Sequence, residues 1–245
     1  MRNYLLTIEY EGTCYHGWQR QRKDRSIQSA IEDVLGLMTN QKISLIGSGR
    51  TDAGVHALGQ VANFKCDTRL TATDFQKGLN SLLPNDIVIT DCRRVPESFH
   101  ARYDVKSKIY RYRILNRYLP SALLRRFTWH IRSPLDTDAI KAACQLLIGC
   151  HDFKAFEGAG SPRSHSIRNI ISADWDSEST EIKSFSIEAD GFLRFMVRNI
   201  VGTLVDVGLG KISTDEFKLI LLSKDRNQAS ATAPPQGLYL VEVRY

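Results

Sequence analysis

The residues whose types and spacing bear most directly on chemistry lie in one glycine-rich stretch, Gly47-Ser48-Gly49-Arg50-Thr51-Asp52-Ala53-Gly54-Val55-His56-Ala57. Glycine lets a backbone approach a ligand closely. Two nucleotide-binding readings fail at once. Gly49-x-x-x-x-Gly54 has Walker A spacing, but Val55 and His56 follow where a P-loop needs Lys and Ser or Thr. Gly47-x-Gly49 lacks the third glycine of a dinucleotide fingerprint. What remains is a carboxylate beside a guanidinium on a tight loop. Arg50 can hold Asp52 ionised and can also grip a phosphate. The commoner task of Asp in such a loop is to satisfy turn amides, and the loop alone leaves both readings open. His56 is a candidate base, although a histidine bonded to loop backbone is the more frequent case.

Other candidates stand further along. In Tyr110-Arg111-Tyr112-Arg113 the strand alternation puts both tyrosines on one face and both arginines on the other. Arg198 interrupts an apolar helical pattern of Met196, Val197, Ile200, Val201 and Leu204. A buried arginine is costly unless paired, and a surface one would snorkel beside Arg194. His151-Asp152 has the look of a metal dyad, but no second cluster with ligand spacing accompanies it, so no metal site is expected. A glycosidase would need a second flanking carboxylate, and none stands out.

The elements that must hold these groups follow from periodicity. A strand is expected over 4–10, and a helix capped by Ser26 with apolar Ile27, Ala30, Ile31, Val34, Leu35 and Met38. A short strand over 43–46, the glycine loop, and a strand near 60–65 come next. Thr73 is expected to cap a second helix ending before Pro84. A strand over 87–95 completes a β-α-β-β-α-β order, the ferredoxin-like unit. The second half repeats the pattern: a strand over 108–115, a helix over 137–148, strands near 168–175 and 181–189, and a long helix over 192–207. A short helix opens with the capping box Ser213-x-x-Glu216, and a last strand runs over 238–244. The reading is α+β, with an N-terminal lobe over 1–103 and a C-terminal lobe over 104–245.

Composition bounds the class. The chain has 245 residues, 42% hydrophobic and 24% charged, which is ordinary for a globular protein. No apolar run approaches the ~20 residues of a membrane span, and the N-terminus shows no signal peptide. A cytoplasmic protein is therefore expected, with no membrane association. Cys14, Cys66, Cys92, Cys144 and Cys150 are widely spaced without C-x-x-C, so they are expected to be reduced packing residues. The net charge of +6 suits a polyanion. Cations interleave with aromatics and amides over residues 18–25 and again from Tyr110 through Arg117, Tyr118, Arg125 and Arg126. That pattern suits phosphate contact and base stacking, or else a solvated face.

Taken together, these blocks resemble a known family. Gly49-Arg50-Thr51-Asp52-Ala53-Gly54-Val55-His56-Ala57 is similar to the signature of the tRNA pseudouridine synthase A family. Tyr15-His16-Gly17-Trp18-Gln19-Arg20-Gln21, Lys108-Ile109-Tyr110-Arg111-Tyr112 and Gly149-x-His151-Asp152-Phe153 resemble further family blocks. So do Phe192-Leu193-Arg194-x-Met196-Val197-Arg198-Asn199-x-Val201-Gly202 and Ala233-Pro234-Pro235-x-Gly237-Leu238. They occur in family order along the whole chain. Asn63 departs, standing where His is more usual, and the stretch 158–167 matches loosely.

The resemblance implies isomerisation of uridine to pseudouridine at positions 38, 39 and 40 of the tRNA anticodon stem-loop. It implies two tandem ferredoxin-like units sharing an extended antiparallel sheet, the pseudouridine synthase fold with a central cleft. It also implies a homodimer. Asp52 is the implied nucleophile, and Arg198 its implied ionic partner. The resemblance implies that Tyr110 stacks on the target base and that Leu238 gives an apolar contact beneath the uracil. Arg50 is a candidate for base flipping or for filling the space the base leaves. The isomerisation changes no oxidation state, so no cofactor is expected. The rival readings are a non-catalytic basic RNA-binding protein and a phosphate-handling enzyme using the glycine loop.

Overall fold

The computed structural model describes residues 1–22, 24–160 and 165–245. In chain order these form β1 (Arg2–Tyr10), α1 (Ile27–Thr39), β2 (Ile46–Gly47), β3 (His56–Cys66) and α2 (Ala72–Leu82). Then come β4 (Ile87–Val95), β5 (Ser107–Asn116), β6 (Trp129–Ile131), α3 (Thr137–Gln145) and β7 (Gly149–Asp152). The rest is β8 (Ile167–Ser177), β9 (Ile182–Ala189), α4 (Met196–Gly208), α5 (Thr214–Ser223) and β10 (Leu238–Arg244). The class is α+β, as the patterns indicated.

The chain forms two compact units, Met1–Lys106 with Tyr239–Tyr245, and Ser107–Leu238. The expected second lobe covered all of 104–245. The last strand instead groups with the first unit from Tyr239 on, because Tyr239 and Leu240 register in parallel with His56 and Ala57 of β3.

In the first unit β1 lies antiparallel between β3 and β4, and β2 lies antiparallel along the other edge of β3. That is the strand arrangement of the ferredoxin-like unit. Leu6, Ile8, Ile27, Ile31, Leu35, Phe64 and Phe75 are fully buried. Each such side chain contributes about 1.5–3 kcal/mol relative to exposure. Tyr4, Phe64 and Phe75 form a ring cluster with centroids 4.9–5.5 Å apart. Ser26 caps α1 as expected, in a reciprocal bond with Ser29. The cap of α2 is Thr71, not Thr73. Thr71 and Asp74 exchange hydrogen bonds of 3.2 and 2.8 Å in a capping box, which leaves Thr73 inside the first turn. Asn63 has a packing role: its amide donates to Asn3 and its carbonyl accepts from Ala101 N, both at 2.9 Å. It thereby ties the 96–101 turn to β1 and β3.

In the second unit β5, β9, β8 and β7 follow one another antiparallel, and β6 runs parallel to β5. The core is aromatic: Tyr112, Phe153, Phe156, Phe185 and Phe217 are fully buried. Helix α4 is buried nearly all round. It begins at Met196 rather than at 192. Phe195 adopts a left-handed φ of 61°, which a helical backbone cannot pass through. Strands β6 and β7 are only three and four residues long, too short to show an alternation in sequence. No helix among the described residues is long and apolar enough to cross a membrane.

Candidate active site

The glycine loop joins β2 to β3, and the first unit grips it from below and from the side. Below it lies a buried polar group. Tyr10 Oη and Thr51 Oγ1 share a hydrogen bond of 2.8 Å. Gln60, fully buried on β3, accepts from Ser48 Oγ at 2.7 Å and donates to Gly49 O at 3.1 Å. Burial pushes the Tyr10 hydroxyl well above its ordinary range, only partly offset by hydrogen bonds to Thr51 and Gln60, so this group stays neutral and acts by position. Buried amides and hydroxyls are tolerated only when satisfied, and here the satisfied partners are the loop itself.

From the side comes the segment 15–18. Trp18 N donates to Thr51 O at 3.1 Å, and Gly54 N donates to Tyr15 O at 3.4 Å. Gly17 has φ +85°, and a Cβ there would stand 2.5 Å from Thr51 O. Only glycine fits both the dihedral and the approach. Tyr15 is itself anchored by Asp86 at 2.5 Å, with the Arg25 guanidinium 4.9 Å from its ring.

Asp52 sits half-buried at the start of a turn closed by Val55 N to Asp52 O at 3.2 Å. Gly54 occupies the turn position that needs a positive φ, at 78°. Asp52 therefore heads a turn through its main chain and stays half-buried, and the turn reading and the chemical reading are compatible. Arg50 is exposed, and its Nε donates to Gln19 Oε1 at 3.2 Å. Gln19 in turn donates to the buried Gln28 at 2.9 Å. His56 is buried. Its Nδ1 accepts from Gly12 N at 3.1 Å, and its ring stacks on Tyr239 at 4.9 Å. It is a loop brace, the commoner of its two readings.

The remaining expected residues belong to the second unit. Tyr110 and Tyr112 are buried on one face of β5, and Arg111 and Arg113 are half-buried on the other, as alternation required. Tyr110 meets Phe192 edge-on at 4.9 Å. Tyr112 donates to Pro234 O at 2.6 Å. Burial holds its hydroxyl well above its ordinary range, while the positive charge of Arg198 acts the opposite way. Arg198 is half-buried, and its guanidinium lies 5.0 Å from the Phe195 ring, with Arg194 at 4.8 Å. Its Nε donates to Ala233 O at 2.8 Å, while Ala233 N donates back to Arg198 O at 3.1 Å. It is not a snorkelling surface residue. Leu238, buried, opens β10 directly after Gly237, which packs against the Tyr112 ring.

The structure thus gathers Asp52 and Arg50 on one loop, and Tyr110, Arg198 and Leu238 within the second unit. Sequence reasoning missed Gln60, Ser48 and Tyr10. Nothing local singled out Gln60, because β3 also carries His56, Asn63 and Lys65. Some arginines of the basic clusters are engaged within the protein: Arg20 with Glu32 and Asp33, Arg113 with Glu178, and Arg117 with Glu181. Lys23 of the first cluster, and 161–164 of the loosely matching stretch, lie outside the described residues. His151 bonds Ile148 O, and Asp152 is held by Ser166 and Lys224. Among the described residues no group of three or more His, Cys, Asp or Glu could hold a metal ion. All five cysteines are unpaired thiols, three of them buried.

A family model described as tRNA pseudouridine synthase matches residues 6–104 and 143–245. The chain is 49% identical over 245 residues to the tRNA pseudouridine synthase A of Acetivibrio thermocellus, covering 100% of both. It is 48% identical to the protein of that name from Thermoanaerobacter pseudethanolicus, again over 100% of both. It is 45% identical to tRNA pseudouridine synthase A 2 of Clostridium perfringens, with the same full coverage. The chain belongs to the tRNA pseudouridine synthase family.

Proposed function

We propose that this protein isomerises uridine to pseudouridine in the anticodon stem-loop of tRNA, at positions 38, 39 and 40, with Asp52 as the nucleophile. The observation that carries the reading is the setting of Asp52: a half-buried carboxylate at the head of a turn that buried hydrogen bonds hold from two directions. The reaction breaks the N1–C1′ bond, rotates the uracil and joins C5 to C1′. N1 gains a proton and C5 loses one, so nothing enters or leaves overall. One carboxylate suffices, acting on the ring or on the ribose carbon. Redox balance is unchanged, so no cofactor is required.

The other residues take supporting roles. Tyr110 stacks on the extruded uracil, worth about 1–3 kcal/mol for a base on an aromatic ring. Arg198 keeps Asp52 ionised and oriented, and Leu238 provides the apolar contact beneath the base. Flipping a nucleotide costs a few kcal/mol, and Arg50 stabilises the extruded state. The protein works in the cytoplasm as a homodimer.

The test is release of tritium from C5 of uracil in an unmodified tRNA transcript. Wild type is expected to release it, and Asp52→Ala is expected to release none while still binding tRNA. Release by both proteins would remove Asp52 from its role. Binding without release by the wild type, across a panel of tRNAs, would leave a non-catalytic RNA-binding protein.

A further inference from the structure

The connection between β5 and β6 spans 117–128, and the two strands run parallel. A parallel pair requires a crossover of about a dozen residues. This one is not slack. Arg117 spends its guanidinium inside it, donating to Leu119 O at 2.8 Å and Pro120 O at 3.1 Å, and pairing with Glu181 at 2.8 Å. His130 Nε2 lies 2.9 Å from Arg117 O, and Thr128 Oγ1 donates to Leu124 O at 3.0 Å. The effect of this bonding is to hold apolar groups outward. Tyr118 is 66% exposed and Leu123 84%. The guanidinium of Arg132 covers one face of the Tyr118 ring at 3.7 Å. Arg125, whose Nη1 donates to Ala122 O while the residue stays exposed, and Arg126, also exposed, lie beside them in sequence, and no Asp or Glu occurs over 117–132.

An exposed tyrosine backed by a guanidinium is a flat π surface with a positive rear, and flanking arginines match a phosphate chain. A second copy of this chain is the poorer occupant. A two-fold contact would set Arg125, Arg126 and Arg132 against their own copies, and like charges across an interface are costly. We propose that this loop is a second RNA contact apart from the reacting uridine: Tyr118 stacks on an unpaired base, and Arg125 and Arg126 hold the adjoining phosphates. The inference rests on the reading of tRNA as substrate.

The test is the anisotropy of an end-labelled unmodified tRNA transcript, titrated with the full-length protein at several salt concentrations. Tyr118→Ala is expected to weaken binding about 10-fold, as loss of one stacked base does, with the slope of log Kd on log salt unchanged. Tyr118→Phe should restore binding. Arg125→Ala with Arg126→Ala should instead lower that slope by about 2. A blunt RNA duplex, which has no unpaired base, should lose nothing from Tyr118→Ala. Thermal melts accompany each variant, and the exposed positions predict unchanged values. Wild-type affinity in Tyr118→Ala, or equal loss on tRNA and duplex, would overturn the stack. A shift to monomer in sedimentation, with tRNA affinity intact, would assign the loop to self-association. Failure of the wild type to bind tRNA would overturn both this inference and the substrate reading. Binding without tritium release would remove only the catalytic reading, and the stack would still be judged by Kd.

Discussion

The Asp52 loop and the segment 192–198 each hold a charged side chain, and they do so by opposite means. The loop is fixed by small and polar groups: Gly17 against Thr51 O, Tyr10 on the Thr51 hydroxyl, and Gln60 on Ser48 and Gly49. The second segment is fixed by rings and backbone. Phe195 sits at φ 61° near both Arg194 and Arg198, and Arg198 is tied to Ala233 through both its main chain and its Nε. Hydrogen bonds inside a low-dielectric pocket are directional, and they fix an orientation. Ring contacts are broad, and they fix a location. On the proposed roles, a nucleophile needs the first, and a supporting cation can work with the second.

Gly17→Ala should produce the largest effect. It forces a left-handed φ on a residue with a Cβ and drives that Cβ toward backbone. About 1–3 kcal/mol of strain is expected from the dihedral alone, together with a fall in turnover greater than the stability loss implies. Urea unfolding and single-turnover tritium release would report the two quantities. Normal turnover in a merely less stable protein would show that the 15–18 segment does not position the loop.

Gln60→Leu comes next. It strands the Ser48 hydroxyl and Gly49 carbonyl without a buried partner, at about 1–3 kcal/mol. A displaced loop should lower kcat about 10-fold or more with KM little altered, since small misplacements of reacting groups are costly. An equal rise in KM would mean that Gln60 serves binding rather than geometry.

In the second segment, Phe195→Gly should relieve the dihedral strain while losing the ring between two arginines. The two effects oppose, so the net change in stability should stay within about 1 kcal/mol. The informative number is kcat/KM, expected to fall several-fold as Arg198 loses its support. An unchanged value would place Arg198 on the Ala233 tie alone.

The smallest effect is one of pH. Asp152 caps the turn Phe153–Phe156, whose Phe156 carbonyl accepts from Asn199 of α4 at 2.8 Å. Burial raises the Asp152 pKa, but the Ser166 hydroxyl, the Lys224 ammonium and the Lys154 amide outweigh it, and the net direction is down. A carboxyl lowered in the folded state stabilises it above the unfolded pKa, about 3.9. That contribution is lost as pH falls through the folded value. Asp152→Asn should therefore be less stable than wild type near neutrality, and the gap should close in acid. A gap independent of pH would trace the loss to shape rather than charge.

Much of this was legible in advance. Ser26 and Ser213 announced their helices because capping is local chemistry. The β5 alternation announced that Tyr110 and Tyr112 share a face. Thr73 misled because two threonines stood near the helix start, and only the carboxylate of Asp74 chose between them. The start of α4 misled because Phe195 reads as an ordinary apolar helical residue until its dihedral is seen. Gln60 could not be recognised, since its partners Ser48 and Gly49 are a loop away.

By itself the sequence determined the α+β pattern, the glycine loop with Asp52 and Arg50, and the family to which these blocks belong. Those features depend on residue type at short spacing. Only the tertiary structure decided that His56 braces the loop, that β10 joins the first unit from Tyr239 on, that the arginines at 20, 113 and 117 are engaged by carboxylates, and that Tyr118 stands outward under Arg132. Each depends on which distant residues come within hydrogen-bonding or stacking reach, and chain spacing carries no information about that.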